Sequence, residues 1–538
     1  MNVQKVKEQQ SFAALSLLYT KRNRIMKRNS ILLAVLCLAS QQAAAQEPAD
    51  ALRYSWLTPG GTARNQAIGG ANVGLGGDLS SLFYNPAGLG LYKTGEFVIT
   101  PGFGFKNNKT DYLGTDASQR ANHFNLGATG LILPMPTRGT GNWKNVTLGI
   151  GLNRMADFNN TVYFKGLNNQ SSYSEKYLEE LINNNVQDPN SAAQNFPYGA
   201  SLAFNTFLVD TLRGPGNTIR GYKSLATPQT GVNQEQTVST SGGLNEFSFG
   251  ISGNLKDKLF LGGSVNWGIL NYERTTSYRE SDATNNTRNN FNYFTVDETL
   301  ATTGLGVNVK LGVIFKPVDQ LRLGFAFHSP TLYNMEDRYS AEISTDLEGY
   351  GGPGVKTQSS RDFNNGLDGE FAYNLNNPMR LMGGVAYVLR EDKDVTKQKG
   401  FISADVEFVD YRASSFSSSD PANNSASYYN ELNGTIDRLY KSAINARLGG
   451  ELKFNTLMVR AGFAYFGNPY QGSDVKGSRM NLSAGLGYRD KGKFFDLAYV
   501  HQLNQDGYFP YRLENGFFEP VGLRSGFGNV MLTVGFKF

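Results

Sequence analysis

The fold is decided by the stretch Leu305-Gly306-Val307-Asn308-Val309-Lys310-Leu311-Gly312-Val313-Ile314-Phe315. Every second residue in it is Leu, Val or Phe, and the residues between them, apart from Ile314, are Gly, Asn or Lys. A period of two residues predicts a β-strand with one apolar face. The pattern recurs on both sides of this stretch, at 146–152, 247–251, 321–327, 482–488 and 532–538. The chain is therefore predicted to be all-β.

Composition agrees with this prediction and narrows it. The 538 residues include 61 Gly, 12% are aromatic, and 18% are charged, against roughly 25% charged in a typical globular protein. No run approaches the 18 apolar residues of a membrane-spanning helix, which excludes a helical membrane bundle. The strands of a soluble β-sandwich would also show alternating apolar and polar residues. The small and polar second face favours a transmembrane barrel, since a closed barrel leaves no sheet edge unpaired in lipid.

The amino terminus has the pattern of a secretory signal. A basic segment at 26–30 precedes an apolar segment at 31–39, and Ala43–Ala45 supply the small residues of a cleavage site. We assign 1–45 to this signal and expect Met26 to be the true start, which makes 1–25 an over-extension. Cys37 is the only cysteine, so the mature chain is expected to have no disulfide and no thiol chemistry.

Removal of the signal changes the sign of the net charge. The segment 1–45 holds seven basic residues and one acidic residue, so its removal turns the net charge from +5 to −1. Nucleic-acid binding is not supported by such a balance.

The lengths of the connections predict about fourteen strands. Short turns alternate with long polar loops, as in outer-membrane barrels, and an even count returns both ends of the chain to one side. The first two strands are predicted near 95–107 and 119–134, and 413–437 is read as a polar loop. The connection 159–237 is predicted to be a partly helical extracellular insert. It either shields the barrel mouth or captures a ligand.

Residues 60–90, just before the first strand, do not alternate. They are rich in Gly, Ala and Ser and end in Asn85-Pro86-Ala87-Gly88. This stretch resembles the FadL/TodX family of outer-membrane transporters for long-chain fatty acids and other hydrophobic compounds. Further segments resemble the family in the expected order: Leu321–Pro330, Phe401–Tyr411, Ala446–Tyr465 and Leu482–Tyr499.

The resemblance implies a 14-stranded barrel over 95–538 whose lumen is plugged by 46–94. It implies a monomer that spans the outer membrane of a Gram-negative bacterium many times, contacts its lipid and needs no cofactor. Hydrophobic molecules, fatty acids or similar amphiphiles, would bind at the outer surface and then inside the barrel. They would leave sideways into the membrane as the plug shifts, with Asn85, Pro86, Ala87 and Gly88 as the plug and gating motif.

Two sets of residues are candidates for specific roles. The alternation places Arg322, His328, Arg460 and Arg489 on the lumen side, where an Arg can bind a carboxylate headgroup by paired hydrogen bonds. The first three are our headgroup candidates; the alternative for each is an ion pair or a plug contact. Gly149 and Gly151 in the third strand are candidates for a kink that opens a lateral exit. Their alternative is close packing against the plug.

Catalysis is not predicted. The three histidines, His123, His328 and His501, are far apart and have no metal-ligand spacing. The glycines at 349–354 fit a dinucleotide-binding pattern, but no helix is predicted to follow them. A non-enzymatic alternative to transport stays open: a related barrel that binds a protein partner in export or surface assembly.

Overall fold

The computed structural model describes residues 46–58, 60–137, 141–284, 286–390, 399–420, 426–472, 477–514 and 516–538. The predicted signal, 1–45, with Met26 and Cys37, lies outside the described residues. Among those described, no helix is long and apolar enough to cross a membrane.

Fourteen antiparallel strands form one sheet in the described part of the chain, and several of them are interrupted. Their bounds are β1 Glu96–Ile99 and Pro101–Tyr112, β2 Thr115–Leu126 and Thr129–Pro136, β3 Trp143–Asp157 and Asn160–Asn168, β4 Val232–Leu255, β5 Leu259–Asp282, β6 Tyr293–Val318, β7 Leu321–His328 and Thr331–Asp346, β8 Gly369–Asn377 and Arg380–Leu389, β9 Gly400–Asp410, β10 Ser442–Phe454, β11 Leu457–Phe466, β12 Arg479–Asp490, β13 Lys493–Tyr508 and β14 Val521–Lys537. Two further short segments, Lys356–Ser359 and Ser415–Ser418, pair with this sheet at its edge.

The sheet closes on itself. The last strand, β14, pairs with β1 in a register that runs from Glu96 opposite Lys537 to Asp111 opposite Gly522. The predicted fourteen-stranded antiparallel barrel is confirmed. The first hairpin differs from the prediction, because β1 and β2 meet at a two-residue turn, Leu113–Gly114, in place of a long loop. Above the apolar belt both strands are polar on both faces, so alternation does not mark their ends.

The outer wall carries an apolar belt. In β6 the outward side chains of Leu305, Val307, Val309, Leu311 and Phe315 are 43–59% exposed, whereas Lys310 on the opposite face is 2% exposed. Ten residues of a tilted strand span about 25 Å, the height of the lipid-facing band in such barrels. The belt therefore matches a hydrocarbon layer.

Residues 46–58 and 60–94 lie in the lumen as a plug-like segment, which we call the plug. It contains helices α1 (Pro48–Ser55), α2 (Ala63–Ala67) and α3 (Ser81–Tyr84) and a 3-10 helix at Pro86–Leu91. Wall and plug approach so closely that glycine is needed on both sides: a Cβ on Gly74 would lie 3.0 Å from the carbonyl carbon of Gly384. The plug is thus seated against the wall without intervening side chains at this point.

The predicted insert is folded and partly helical. It begins later and ends earlier than predicted, because β3 continues to Asn168 and β4 starts at Val232. Between them lie α4 (Glu175–Asn183), α5 (Pro189–Gln194), α6 (Ala200–Asn205) and a hairpin of Val209–Arg213 with Ile219–Ser224. Its apolar side chains pack on the long ends of β5, β6 and β7, so the insert covers that end of the barrel.

A seventh helix, α7 (Ala426–Leu439), lies in the stretch that the sequence analysis read as a polar loop. Its Leu432 and Ile436 are buried in one cluster with Tyr54 of α1. The helix therefore packs against the amino-terminal end of the plug.

Candidate ligand site beside the plug

The Asn85–Gly88 motif fixes the plug to the wall. Asn85 is fully buried, and its Nδ2 donates to the carbonyl oxygens of Val73 (2.7 Å) and Val313 (3.2 Å). Its Oδ1 accepts from the backbone N–H of Ala87 at 3.2 Å and so caps the 3-10 helix that Pro86 begins. One side chain therefore joins two parts of the plug to β6.

Gly88 completes this turn. A Cβ there would lie 2.8 Å from the Cβ of Ser81 and 2.9 Å from the Cα of Gly76, so glycine permits the close approach. Whether the motif also gates a path stays a prediction.

The three headgroup candidates contact the plug or lumen acids. Arg322 Nη1 donates to the Leu75 carbonyl oxygen at 2.8 Å, and His328 Nε2 lies 2.8 Å from the Tyr84 carbonyl oxygen. Arg460 is fully buried and pairs with Glu451 (2.7 Å) and Asp496 (2.6 Å). All three lie on the lumen side, as predicted, but none lines the large cavity described below. Their role in holding a ligand headgroup stays a prediction.

Gly149 and Gly151 lie in a regular part of β3. They pair with Gly250 and Ser248 on one side and with Ile132 and Gly130 on the other. A Cβ on Gly149 would lie 3.0 Å from Leu89 of the plug, so close packing on the plug accounts for this glycine. The register of β3 with β4 shifts later, between Arg154 and Ala156, and the strand is interrupted at 158–159.

Above the glycines, the backbone pairing between β2 and β3 stops. Thr129–Pro136 of β2 pairs with β3, but within the described residues Thr115–Leu126 pairs only with β1. The upper segment of β3 turns inward instead. Its carbonyl oxygens at Thr161 and Tyr163 accept from the lumen-facing side chains of Asn108 and Thr110. The free edge of β2 and the bend of β3 therefore bound a lateral slot, which we call the β2–β3 slot.

Side chains close the slot where backbone pairing is missing. Asp157, at the bend, lies 3.2 Å from His123 Nε2 of β2 and 3.0 Å from Arg154 Nη2. Lys106 Nζ of β1 is 3.9 Å from the same carboxylate. One acid thus links three strands at the upper edge of the apolar belt.

A cavity of about 290 Å³ adjoins this cluster on the lumen side. The plug bounds it with Thr58, Gly60 and Gln66. The barrel contributes its other lining residues: Lys106, Asn125, Gly127, Arg154, Ala156, Asp157, Asn160, Arg479, Asn481, Val500, Gln502, Leu523, Ser525, Phe527, Asn529 and Met531. Its volume lies near the lower end of the range for small-molecule pockets.

Sequence reasoning did not single out Lys106, Arg154 or Asp157. The signal that could have found them is the loss of alternation in β3 after Leu152, where Asn153-Arg154-Met155-Ala156-Asp157 places charges beside a break. In the ranges covered by the structure, no group of three or more His, Cys, Asp or Glu side chains is placed to hold a metal ion.

Comparison with solved structures shows the fold. A FadL homologue from Pseudomonas aeruginosa gives a TM-score of 0.53 at 14% identity, over 90% of this chain and 99% of the other. The toluene transporter TodX of P. putida gives 0.49 at 14% identity, and TbuX of Ralstonia pickettii gives 0.48 at 13%; each match covers 89% of this chain and 99% of the other. The sequence matches no protein-family model and no curated protein. This chain thus has the barrel and internal amino-terminal segment of a FadL-type fold.

Proposed function

We propose that this chain is a FadL-type transporter of a Gram-negative outer membrane. It takes up hydrophobic small molecules, long-chain fatty acids or similar amphiphiles, by passive binding beside the plug and lateral release through the wall. The observation that carries the proposal is the position of the cavity, which lies between the plug and the β2–β3 slot.

Lateral release suits an apolar ligand. A long acyl chain that crossed an aqueous lumen would expose its apolar surface at a cost of about 25 cal/mol per Å². A slot at the upper edge of the apolar belt shortens that exposure, because the tail passes from the cavity straight into hydrocarbon. The plug supports the same route, since Arg64 pairs with Glu451 at 3.3 Å and Asn85 binds β6, so the axial path is filled.

The proposal is tested by what the native barrel carries. The protein is extracted from membranes in mild detergent, and co-purifying small molecules are identified by mass spectrometry. A Pro86→Gly variant, in which the 3-10 helix loses its starting proline, is extracted in parallel. We expect fatty acids or other amphiphiles in stoichiometric amount with the native protein and less with the variant. A native barrel that is empty in every preparation would contradict the proposal.

A second candidate is a protein-binding barrel for export or surface assembly. The folded insert favours it, because a mixed helical and hairpin unit packed across the mouth offers a protein-sized surface. Repeated recovery of one protein partner with barrels that hold no small molecule would support this candidate over transport.

A further inference from the structure

The cavity beside the plug is lined by charged and amide side chains, which a plain hydrocarbon ligand could not hydrogen-bond. Lys106, Arg154 and Arg479 place three cationic side chains at its surface, and Asp157 is the only acidic lining residue among those described. Asp157 is itself within 4 Å of both Lys106 and Arg154. Lys106 and Arg154 therefore share one carboxylate and together retain a positive surplus, while Arg479 lies over the Trp56 ring.

Amides occupy much of the remaining surface. Asn125, Asn160, Asn481, Gln502 and Asn529 line the cavity together with Gln66 of the plug. Burying this many polar groups is costly unless they are hydrogen-bonded. Asn125 Nδ2 does donate to Asn529 Oδ1 at 3.2 Å. Asn160 Oδ1 likewise accepts from Asn108 Nδ2 at 2.7 Å. A purely apolar ligand would offer no hydrogen bond to an amide that lacks a partner.

Asn481 gives the clearest indication of what the ligand offers. The residue is 6% exposed, and in the described part of the chain its Oδ1 is buried with no hydrogen-bond partner. Because Oδ1 is an acceptor, its missing partner is a donor. The cationic side chains of the cavity favour an anionic group on the ligand. The Oδ1 of Asn481 favours a hydroxyl or amine on the same ligand.

We infer that the cavity binds a hydroxylated acid headgroup of about one sugar ring in size, such as a uronic acid, and that the preferred ligand is an anionic, hydroxyl-bearing amphiphile. At about 30 Å³ for each water molecule, 290 Å³ holds about ten of them, which fits a single ring. This inference rests on the proposed function, since it names the ligand of the same cavity. The apolar tail would lie toward Phe527, Leu523 and Met531 and the slot.

The test compares three probes: one with an anionic sugar headgroup, one with a neutral sugar headgroup and one without a headgroup. Octyl β-D-glucuronide, octyl β-D-glucoside and toluene are titrated, each below its micelle concentration, into the full barrel in lipid nanodiscs. Binding is measured by calorimetry. We expect the glucuronide to bind at least tenfold more tightly than the glucoside, and toluene to bind most weakly.

Two variants assign the preference to the cavity. Lys106→Met removes a cation and is expected to reduce the glucuronide preference to threefold or less, while Lys165→Met, on an exposed part of β3, leaves it unchanged. Asn481→Leu removes the acceptor and is expected to weaken both glycosides at least threefold with toluene unaffected. Folding of each variant is checked by its heat-modifiable migration in gels.

The outcomes separate the two claims. Toluene or the glucoside binding as tightly as the glucuronide would overturn the headgroup inference and leave the transport proposal in place. A glucuronide preference that Lys106→Met does not change would overturn the assignment to this cavity. If none of the three probes binds, both the headgroup inference and binding beside the plug are contradicted.

Discussion

His123 Nε2 of β2 lies 3.2 Å from Asp157 Oδ1 of β3, at a level where the two strands form no backbone pair. The wall is held there by side chains alone. Since Lys106 and Arg154 approach the same carboxylate, one acid joins β1, β2 and β3 at this edge of the β2–β3 slot.

Replacing that acid is expected to weaken the barrel. Asp157→Asn removes the negative charge that Lys106 and Arg154 share, and a hydrogen bond to a charged group is worth about 1.5–3 kcal/mol. The loss is measured as a lower guanidinium midpoint in detergent. Asp116→Asn, at an exposed position of β2, is the control and should have no effect. A double-mutant cycle with His123→Ala should give a coupling energy above zero; additive effects would contradict the link between the strands.

Seating of the plug can be tested on two neighbouring glycines. A Cβ on Gly384 would lie 2.7 Å from the Gly74 nitrogen and would clash with the carboxylate of Asp405, which accepts from the backbone N–H of Val73 in the plug. A Cβ on Gly383 would meet nothing within 4 Å. Gly384→Ala is therefore expected to displace the plug loop and to increase leakage of a small sugar in liposome swelling. Gly383→Ala should behave as the native protein. Equal leakage in the two variants would argue against a tightly seated plug.

Asn85→Ala tests the motif itself. The substitution removes the donor to Val73 and Val313 and the cap of the 3-10 helix. Each buried acceptor left without a partner costs about 1–3 kcal/mol. We expect faster proteolysis within 60–90 and greater sugar leakage, with Asn286→Ala in an exposed loop as the unaffected control. Native resistance to protease in Asn85→Ala would contradict the anchoring role.

The insert should respond to pH through Glu280, which lies eleven residues beyond the last belt residue of β5, Ile269. Burial raises the pKa of Glu280, although its carboxylate accepts hydrogen bonds from Ser172, Tyr173 and Gln234. A raised pKa means that the folded insert binds the proton more tightly than the unfolded chain. Stability is then full below the ordinary carboxyl pKa of 4.5 and falls as the pH rises toward the raised value.

Limited proteolysis of the insert measures this dependence. We expect slower cleavage within 169–231 at pH 5 than at pH 7.5, and a smaller difference between the two in a Glu280→Gln variant, since burial also raises the pKa of Glu175 and Glu180 in the insert. Faster cleavage of the native protein at pH 5 would contradict the sign. Glu235→Gln on the neighbouring β4 serves as the matched control.

Most strands of the barrel wall can be predicted from the sequence. Each strand in the apolar belt has one lipid-facing side, so apolar residues alternate with small or polar ones along it. Leu305 to Phe315 is the clearest case, and the strand count follows from the turns. The ends of β1 and β2 were misplaced, since residues such as Asp116, Ser118 and Arg120 face water outside the belt and carry no periodic signal. Helix α7 was missed because its apolar side chains, Leu432 and Ile436, are few within a polar stretch.

The candidate site was harder to predict. Alternation assigned Arg460 and His328 to the lumen, but it could not tell which lumen charges are already paired. Arg460 pairs with Glu451, its hairpin neighbour on β10, and also with Asp496 of β13, which is 36 residues away and two strands along the sheet. Similarly, Asp157 acquires its role from a bend that brings it to His123, and no local pattern records that distance.

The central claim, passage through the β2–β3 slot, is tested most directly by locking it. His123→Cys and Asp157→Cys are combined, and a bis-methanethiosulfonate reagent bridges the pair. A matched pair, Lys109→Cys with Ser118→Cys, bridges β1 and β2, which are already paired. Delivery of a fluorescent fatty acid to the bilayer of proteoliposomes is then measured. We predict at least a tenfold loss on bridging the slot, recovery with reductant and no loss in the matched pair. Delivery that is as fast bridged as reduced would contradict lateral release.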